Sequence, residues 1–116
     1  MAFDTILFQQ ASGIARICLN RPDKLNAITR EMLSELDAAF RTVEGDSNIR
    51  VAILGGEGRA FCAGQDLGEA ALLQEGDIAE AVALSLDRFY HPLLQRIRNL
   101  RKPVIAEVGG IAAGAG

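Results

Sequence analysis

Tryptophan is absent from this chain, histidine and tyrosine occur once each, and cysteine occurs twice. With His91 the lone histidine, any Ser-His-Asp triad or histidine-rich metal site would have to be built around that one residue; no metal is expected. Cys18 and Cys62 stand in neither disulfide-framework nor zinc-ligand spacing, which points to a reduced, cytoplasmic protein. Positive charge is not in excess: 12 Lys and Arg face 15 Asp and Glu, for a net charge of −3. That removes the basic footprint of a nucleic-acid binder or a protein attracted to an anionic membrane. No apolar run approaches the roughly 20 residues of a spanning helix. The opening "MAFDTILFQQ" has no charged leader, long apolar stretch or cleavage site, so no signal peptide is expected.

What is present is apolar residues (49%), charge (23%) and 12 glycines, an ordinary globular balance. The 116 residues suffice for one domain, spanning 1–116, and not for two. "TILFQQASGIARICLN" reads as a hairpin: Ala15, Ile17 and Leu19 alternate with Ile14, Arg16 and Cys18, and Ser12-Gly13 supplies the turn. "RPDKLNA" reads as a loop. Thr29 can cap a helix whose Met32, Leu33, Leu36, Phe40 and Val43 share one face, with Gly45 at its end. "VAILGG" has the continuous apolar character of a strand covered on both sides. Asp77 and Glu80 form a capping pair for a long helical segment that Pro92 should kink near Tyr90-His91. "KPVIAEVGG" is a further strand, running into "GIAAGAG". Hairpin, helix, strand, helix, strand predicts an α/β fold with part of its sheet parallel.

Two glycine-rich stretches carry the chemistry. In "RAFCAGQDLGE", residues 59–69, Asp66 and Glu69 have capping-box spacing and predict a helix start at Asp66. Ala63 and Gly64 leave the backbone ahead of it bare. Free N–H groups at such a start can hold an anion or a developing oxyanion. The plain alternative is a tight loop packed by small residues with the acids only capping, and these eleven residues alone favour it. "GGIAAGAG" is a second strand end of the same kind, and two such loops could each turn one N–H onto a single carbonyl oxygen. It lacks the G-x-G-x-x-G of a dinucleotide site and the G-x-x-x-x-G-K-[ST] of a phosphate loop.

At these residues the sequence resembles the enoyl-CoA hydratase/isomerase, or crotonase, family. The matching stretches are "LNRPDKLNAI" (19–28), "GRAFCAGQDL" (58–67) and "KPVIAEVGGIAAGAG" (102–116). Within the family, "FCAGQDL", "DRFYHPLLQRI" and "AAGAG" look most like the ring-epoxide isomerase branch of phenylacetyl-CoA degradation. The resemblance implies a crotonase-like spiral of β-β-α units, of which this chain is the N-terminal portion. It implies a site for an acyl-CoA thioester whose oxygen sits between the backbone N–H groups of Gln65 and Ala115. Lys24, Leu25 and Ala27 would line a bent CoA and Ala63 would meet its adenine, with Gly64, Asp66, Leu67 and Gly114 completing the substrate surface. No separate cofactor is implied, since CoA is part of the substrate; the partners expected are the acyl-CoA and further copies in a trimer or hexamer. The proton-transferring carboxylates of the family lie beyond the second loop, so the 116 residues alone are expected to have no meaningful turnover.

Other residues have plainer roles in this reading. Cys62 reads as core, His91 as helix structure or acyl-pocket wall, and Asp66 with Glu69 as caps rather than an acid/base pair. Lys24 taken by charge alone is a solvated loop residue. Two departures from the family pattern stand out: Gly109-Gly110 replaces Asn-Gly, loosening a turn beneath the second loop, and Glu107 occupies a strand position that needs a partner or an exposed edge. Three functions compete: an acyl-CoA isomerase or hydratase, a non-catalytic acyl-CoA binding or assembly module, and a nucleotide-binding α/β domain.

Overall fold

A computed structural model describes residues 2–72 and 78–116. Strands β1 (Ile6–Ala11) and β2 (Ile14–Leu19) form the predicted hairpin, paired antiparallel from Ile6–Leu19 to Ala11–Ile14. Ser12 and Gly13 both take positive φ (53° and 82°), the combination that matches a two-residue turn to the twist of its strands. A short 3-10 turn, Pro22–Lys24, replaces the featureless loop expected of "RPDKLNA". Helix α1 (Arg30–Gly45) comes next, with the Thr29 side chain accepting from the Met32 N–H at 3.1 Å.

Strand β3 (Val51–Gly56) runs parallel to β2, and β5 (Val104–Ala106) parallel to β3, giving a four-stranded sheet ordered β1-β2-β3-β5. A separate pair, β4 (Ala60–Cys62) with β6 (Ile111–Ala112), has no counterpart among the sequence expectations; its strands of three and two residues are too short to show a period. Helix α2 (Leu67–Leu72), helix α3 (Ile78–Ser85), a π-helical turn (Leu86–Tyr90) and α4 (His91–Asn99) lie between β4 and β5. The kink expected at Pro92 takes the form of that π turn, closed by the His91 N–H on the Leu86 carbonyl. Proline has no N–H to give and crowds the carbonyl four residues back, and widening the turn by one residue relieves both. The Asp77 half of the second capping pair lies outside the described residues. Among the described residues no helix is long and apolar enough to cross a membrane.

The core lies between the sheet and α1. Ala15, Ile17 and Leu19 of β2 meet Met32, Leu33, Leu36, Phe40 and Val43 of α1, the faces their periods of two and 3.6 predict. Each large side chain buried there contributes about 1.5–3 kcal/mol. Two strand expectations need correction. In β3 only Ala52 and Gly55 are buried, and the rest is half-covered rather than enclosed on both sides. "PVIAEV" pairs in the ladder only over Val104–Ala106, and both the paired Ile105 and the unpaired Val108 are exposed. Glu107 has both of the outlets it needed: it is exposed, and its carboxylate pairs with Arg16 at 3.0 Å.

Candidate active site

Three loops meet at one end of the small sheet. The first, residues 24–28, is held by its own backbone and by Asn26. Leu25 and Asn26 are both left-handed (φ 52° and 57°), a sparsely populated conformation for side-chain-bearing residues and one that clusters at functional sites. Asn26 is fully buried. Its Oδ1 accepts from the Arg21 N–H (2.8 Å), and its Nδ2 donates to the carbonyls of Glu57 and Ala60 (2.9 Å each). One amide thus ties the first loop to the end of β3 and the start of β4.

The second loop, residues 63–66, runs beside the first. Ala63 N–H donates to Leu25 C=O (3.0 Å), Ile28 N–H to Gly64 C=O (2.8 Å), and Asp66 N–H to Ile28 C=O (2.9 Å). This ladder uses the amides of residues 63 and 66. The Gln65 N–H finds no acceptor among the described residues. Asp66 caps α2 as predicted, its Oδ1 accepting from the Glu69 N–H at 3.0 Å. The return half of the capping box is not formed: Glu69 Oε1 instead accepts from the Arg30 N–H (2.9 Å), because the Asp66 N–H already serves Ile28. Asp66 Oδ2 also pairs with Arg21 Nη1 at 3.0 Å, and the same guanidinium nitrogen reaches the Ala27 carbonyl at 2.6 Å. The Glu69 N–H and the Arg21 guanidinium hold the Asp66 carboxyl below its ordinary value.

The third loop, residues 113–116, crosses the second. Ala113 N–H donates to Cys62 C=O (3.1 Å), and Gly116 N–H to Ala113 C=O (2.8 Å), closing a turn with Gly114 at φ 54°. Such a turn consumes the N–H of its last residue, and that of Ala115, its third, finds no acceptor among the described residues. Gly64 lies against this turn. With φ at +103°, its bare α-carbon lets the two backbones approach: a Cβ there would stand 3.0 Å from the Ala113 oxygen and 3.6 Å from the Ala115 nitrogen. Below, a Cβ at Gly110 would fall onto the Arg59 carbonyl, whereas Gly109 has open space. The glycine required at this turn is therefore the second of the pair.

The structure brings Leu25, Ala27, Ala63, Gly64, Gln65, Asp66, Gly114 and Ala115 into one neighbourhood. Lys24 and Ala63 are exposed, as are Gly114 and Ala115, and Leu67 at the head of α2 is 81% exposed. The Lys24 ammonium has no partner among the described residues. His91 sits on the long helical segment as expected, exposed on α4, with Nδ1 3.4 Å from Asp87. Cys62 is buried, with its thiol 3.2 Å from the Asn26 carbonyl, and burial pushes it up, away from the thiolate form a nucleophile needs. Cys18 is likewise a free thiol raised first by burial and then by Glu57.

Sequence reasoning misses three residues here. Asn26 carries one usable signal, since asparagine tolerates the left-handed conformation in a loop. Arg21 carries none, because its partner lies 45 positions away. Tyr90 reads in sequence as one more helix residue, yet its hydroxyl donates to Gln65 Oε1 beside the second loop.

Comparison with known proteins identifies the family and the fold. The family model for enoyl-CoA hydratase/isomerase matches residues 9–116. A 1,2-epoxyphenylacetyl-CoA isomerase of Escherichia coli is 44% identical over 111 residues, covering 96% of this chain and 42% of the relative. A Rhodobacter capsulatus protein named "Probable enoyl-CoA hydratase" is 45% identical over 116 residues, covering 100% and 42%. Among solved structures, a Pseudomonas aeruginosa protein superposes with a TM-score of 0.87 at 36% identity, covering 97% of this chain and 47% of its own. An enoyl-CoA hydratase of Bacillus anthracis superposes with a TM-score of 0.82 at 34% identity, covering 97% and 43%. The chain thus spans less than half the length of these relatives. With the matched segment, the crotonase-type fold and three family motifs meeting at one place, this chain belongs to the enoyl-CoA hydratase/isomerase family.

Proposed function

We propose that the intact protein carrying this chain is an acyl-CoA thioester isomerase of the 1,2-epoxyphenylacetyl-CoA isomerase type. The Gln65 and Ala115 N–H groups form its oxyanion hole. The observation that carries this reading is the contact of Gly64 with the Ala113–Ala115 turn, which sets two unused amides on neighbouring strands of backbone. As a proton leaves the carbon next to the thioester, negative charge gathers on the thioester oxygen. Donors fixed in advance stabilise that enolate more than the neutral substrate. The loop carrying Lys24, Leu25 and Ala27 lines the bent CoA, Ala63 meets its adenine, and Gly64, Asp66, Leu67 and Gly114 complete the substrate surface. CoA enters as substrate, with no further cofactor.

Asp66 is committed to Arg21 and the α2 cap, and Glu69 to Arg30, so neither is placed as the base. We assign proton transfer to carboxylates outside residues 1–116, which leaves the segment alone without turnover. We further propose that the intact protein is a cytoplasmic trimer or hexamer. A hydratase is the second reading, favoured by the Rhodobacter relative at the same level of identity. Assaying the intact protein with a crotonyl-type thioester and an epoxidised phenylacetyl thioester separates these. Isomerisation of the second supports the proposal, and hydration of the first alone favours the hydratase. CoA-thioester binding without turnover of either leaves a non-catalytic acyl-CoA module.

A further inference from the structure

Gln65 presents a problem that its backbone role creates. A glutamine side chain is long enough for its own carbonyl to fold back onto nearby free amides, and two N–H groups without an acceptor among the described residues, on backbones in close approach, are an attractive target for it. In this structure the carbonyl is held elsewhere. Tyr90, the last residue of the π turn, is half-buried against the core, and its hydroxyl donates to Gln65 Oε1.

We propose that Tyr90 is a positioning residue that keeps the Gln65 side-chain carbonyl out of the oxyanion site, so that the two backbone amides stay vacant for the thioester oxygen. This rests on the oxyanion reading above. The hydroxyl suits the task because it stays protonated: burial first, then the nearby Cys62 and Glu69, push Tyr90 up to about 12. It therefore remains a donor across the range in which the protein works. Asp66 and Glu69 could not hold that carbonyl, because carboxylates only accept.

The test is a double-mutant cycle in the intact protein with the thioester it turns over. Tyr90→Phe keeps the ring and removes the donor, freeing the Gln65 carbonyl to compete for the amides. We expect kcat to fall about tenfold, with KM within threefold because the CoA contacts are untouched, and with little change in thermal midpoint. Gln65→Ala removes the competing carbonyl and keeps the backbone N–H. In that background Tyr90→Phe should change kcat less than twofold, and the double variant should be more active than Tyr90→Phe alone. Wild-type kcat in Tyr90→Phe, or equal losses in both backgrounds, overturns the positioning role and leaves the oxyanion reading intact. A wild-type protein that turns over neither thioester overturns both.

Discussion

Replacing Gly64 by alanine perturbs the site through a single atom. At φ +103° an alanine is strained, and left-handed backbone costs an L-residue roughly 1–2 kcal/mol. The new Cβ would also stand 3.0 Å from the Ala113 oxygen, closer than ordinary contact, so something must move by a few tenths of an ångström. Neither side yields freely: Gly64 accepts from Ile28, and Ala113 is fixed to Cys62 and Gly116. The cost falls on the relative placement of the two loops. A domain with a typical stability of about 5–15 kcal/mol survives such a loss. The proposed oxyanion hole would not, because losing one donor lowers kcat by roughly 100- to 1,000-fold. The expected result for Gly64→Ala in the intact protein is a kcat lower by about 30- to 100-fold, from partial misplacement of one donor, with a small change in KM. The assay is steady-state turnover of the preferred thioester alongside thermal denaturation. Gly109→Ala, where a Cβ meets nothing within 4 Å, is the matched control and should behave as wild type. A Gly64→Ala protein that is less stable but keeps wild-type kcat would refute the reasoning, reducing the loop contact to packing alone.

Asn26→Ala leaves the Arg21 N–H and the Glu57 and Ala60 carbonyls without their shared partner, and should lower unfolding free energy by about 2–4 kcal/mol in urea titration. Asp66→Asn keeps a capping side chain but breaks the ion pair with Arg21. Since the folded Asp66 is held low, its contribution is complete above the unfolded carboxyl value of about 3.9 and is lost as pH falls through the folded value. The stability gap between wild type and Asp66→Asn should therefore be flat from pH 5 to 7 and close below pH 4; a gap that persisted at pH 2 would contradict the assignment. Lys102 Nζ donates to the carbonyls of Val43 and Asp46 (2.6 and 2.7 Å) at the end of α1, so Lys102→Met should cost about 1–2 kcal/mol by the same measurement.

The hairpin, α1 and the Pro92 irregularity are legible in the sequence because each rests on local rules: a turn pair, an apolar stripe with a Thr cap, a proline without an N–H. The meeting of the two glycine-rich loops is legible from their kind and from family resemblance. What places them, the β4–β6 pair, cannot be read from strands of two and three residues. Non-local polar contacts are illegible for the same reason. Glu69 carries the spacing of a reciprocal box, yet the chain brings Arg30 to it and Ile28 to Asp66, and geometry outweighs spacing. Arg21, Asn26 and Tyr90 matter through partners 25 to 45 positions away, and no pattern in one sequence pairs such residues.

Everything proposed for this site turns on two backbone amides, from Gln65 and Ala115, receiving the thioester oxygen. The most direct measurement is a crystal structure of the intact protein with a non-reactive acyl-CoA thioester analogue bound. The thioester oxygen is expected at about 2.7–3.1 Å from both nitrogens. An analogue bound with its thioester oxygen facing a side chain or solvent, and both amides empty, would contradict the oxyanion assignment.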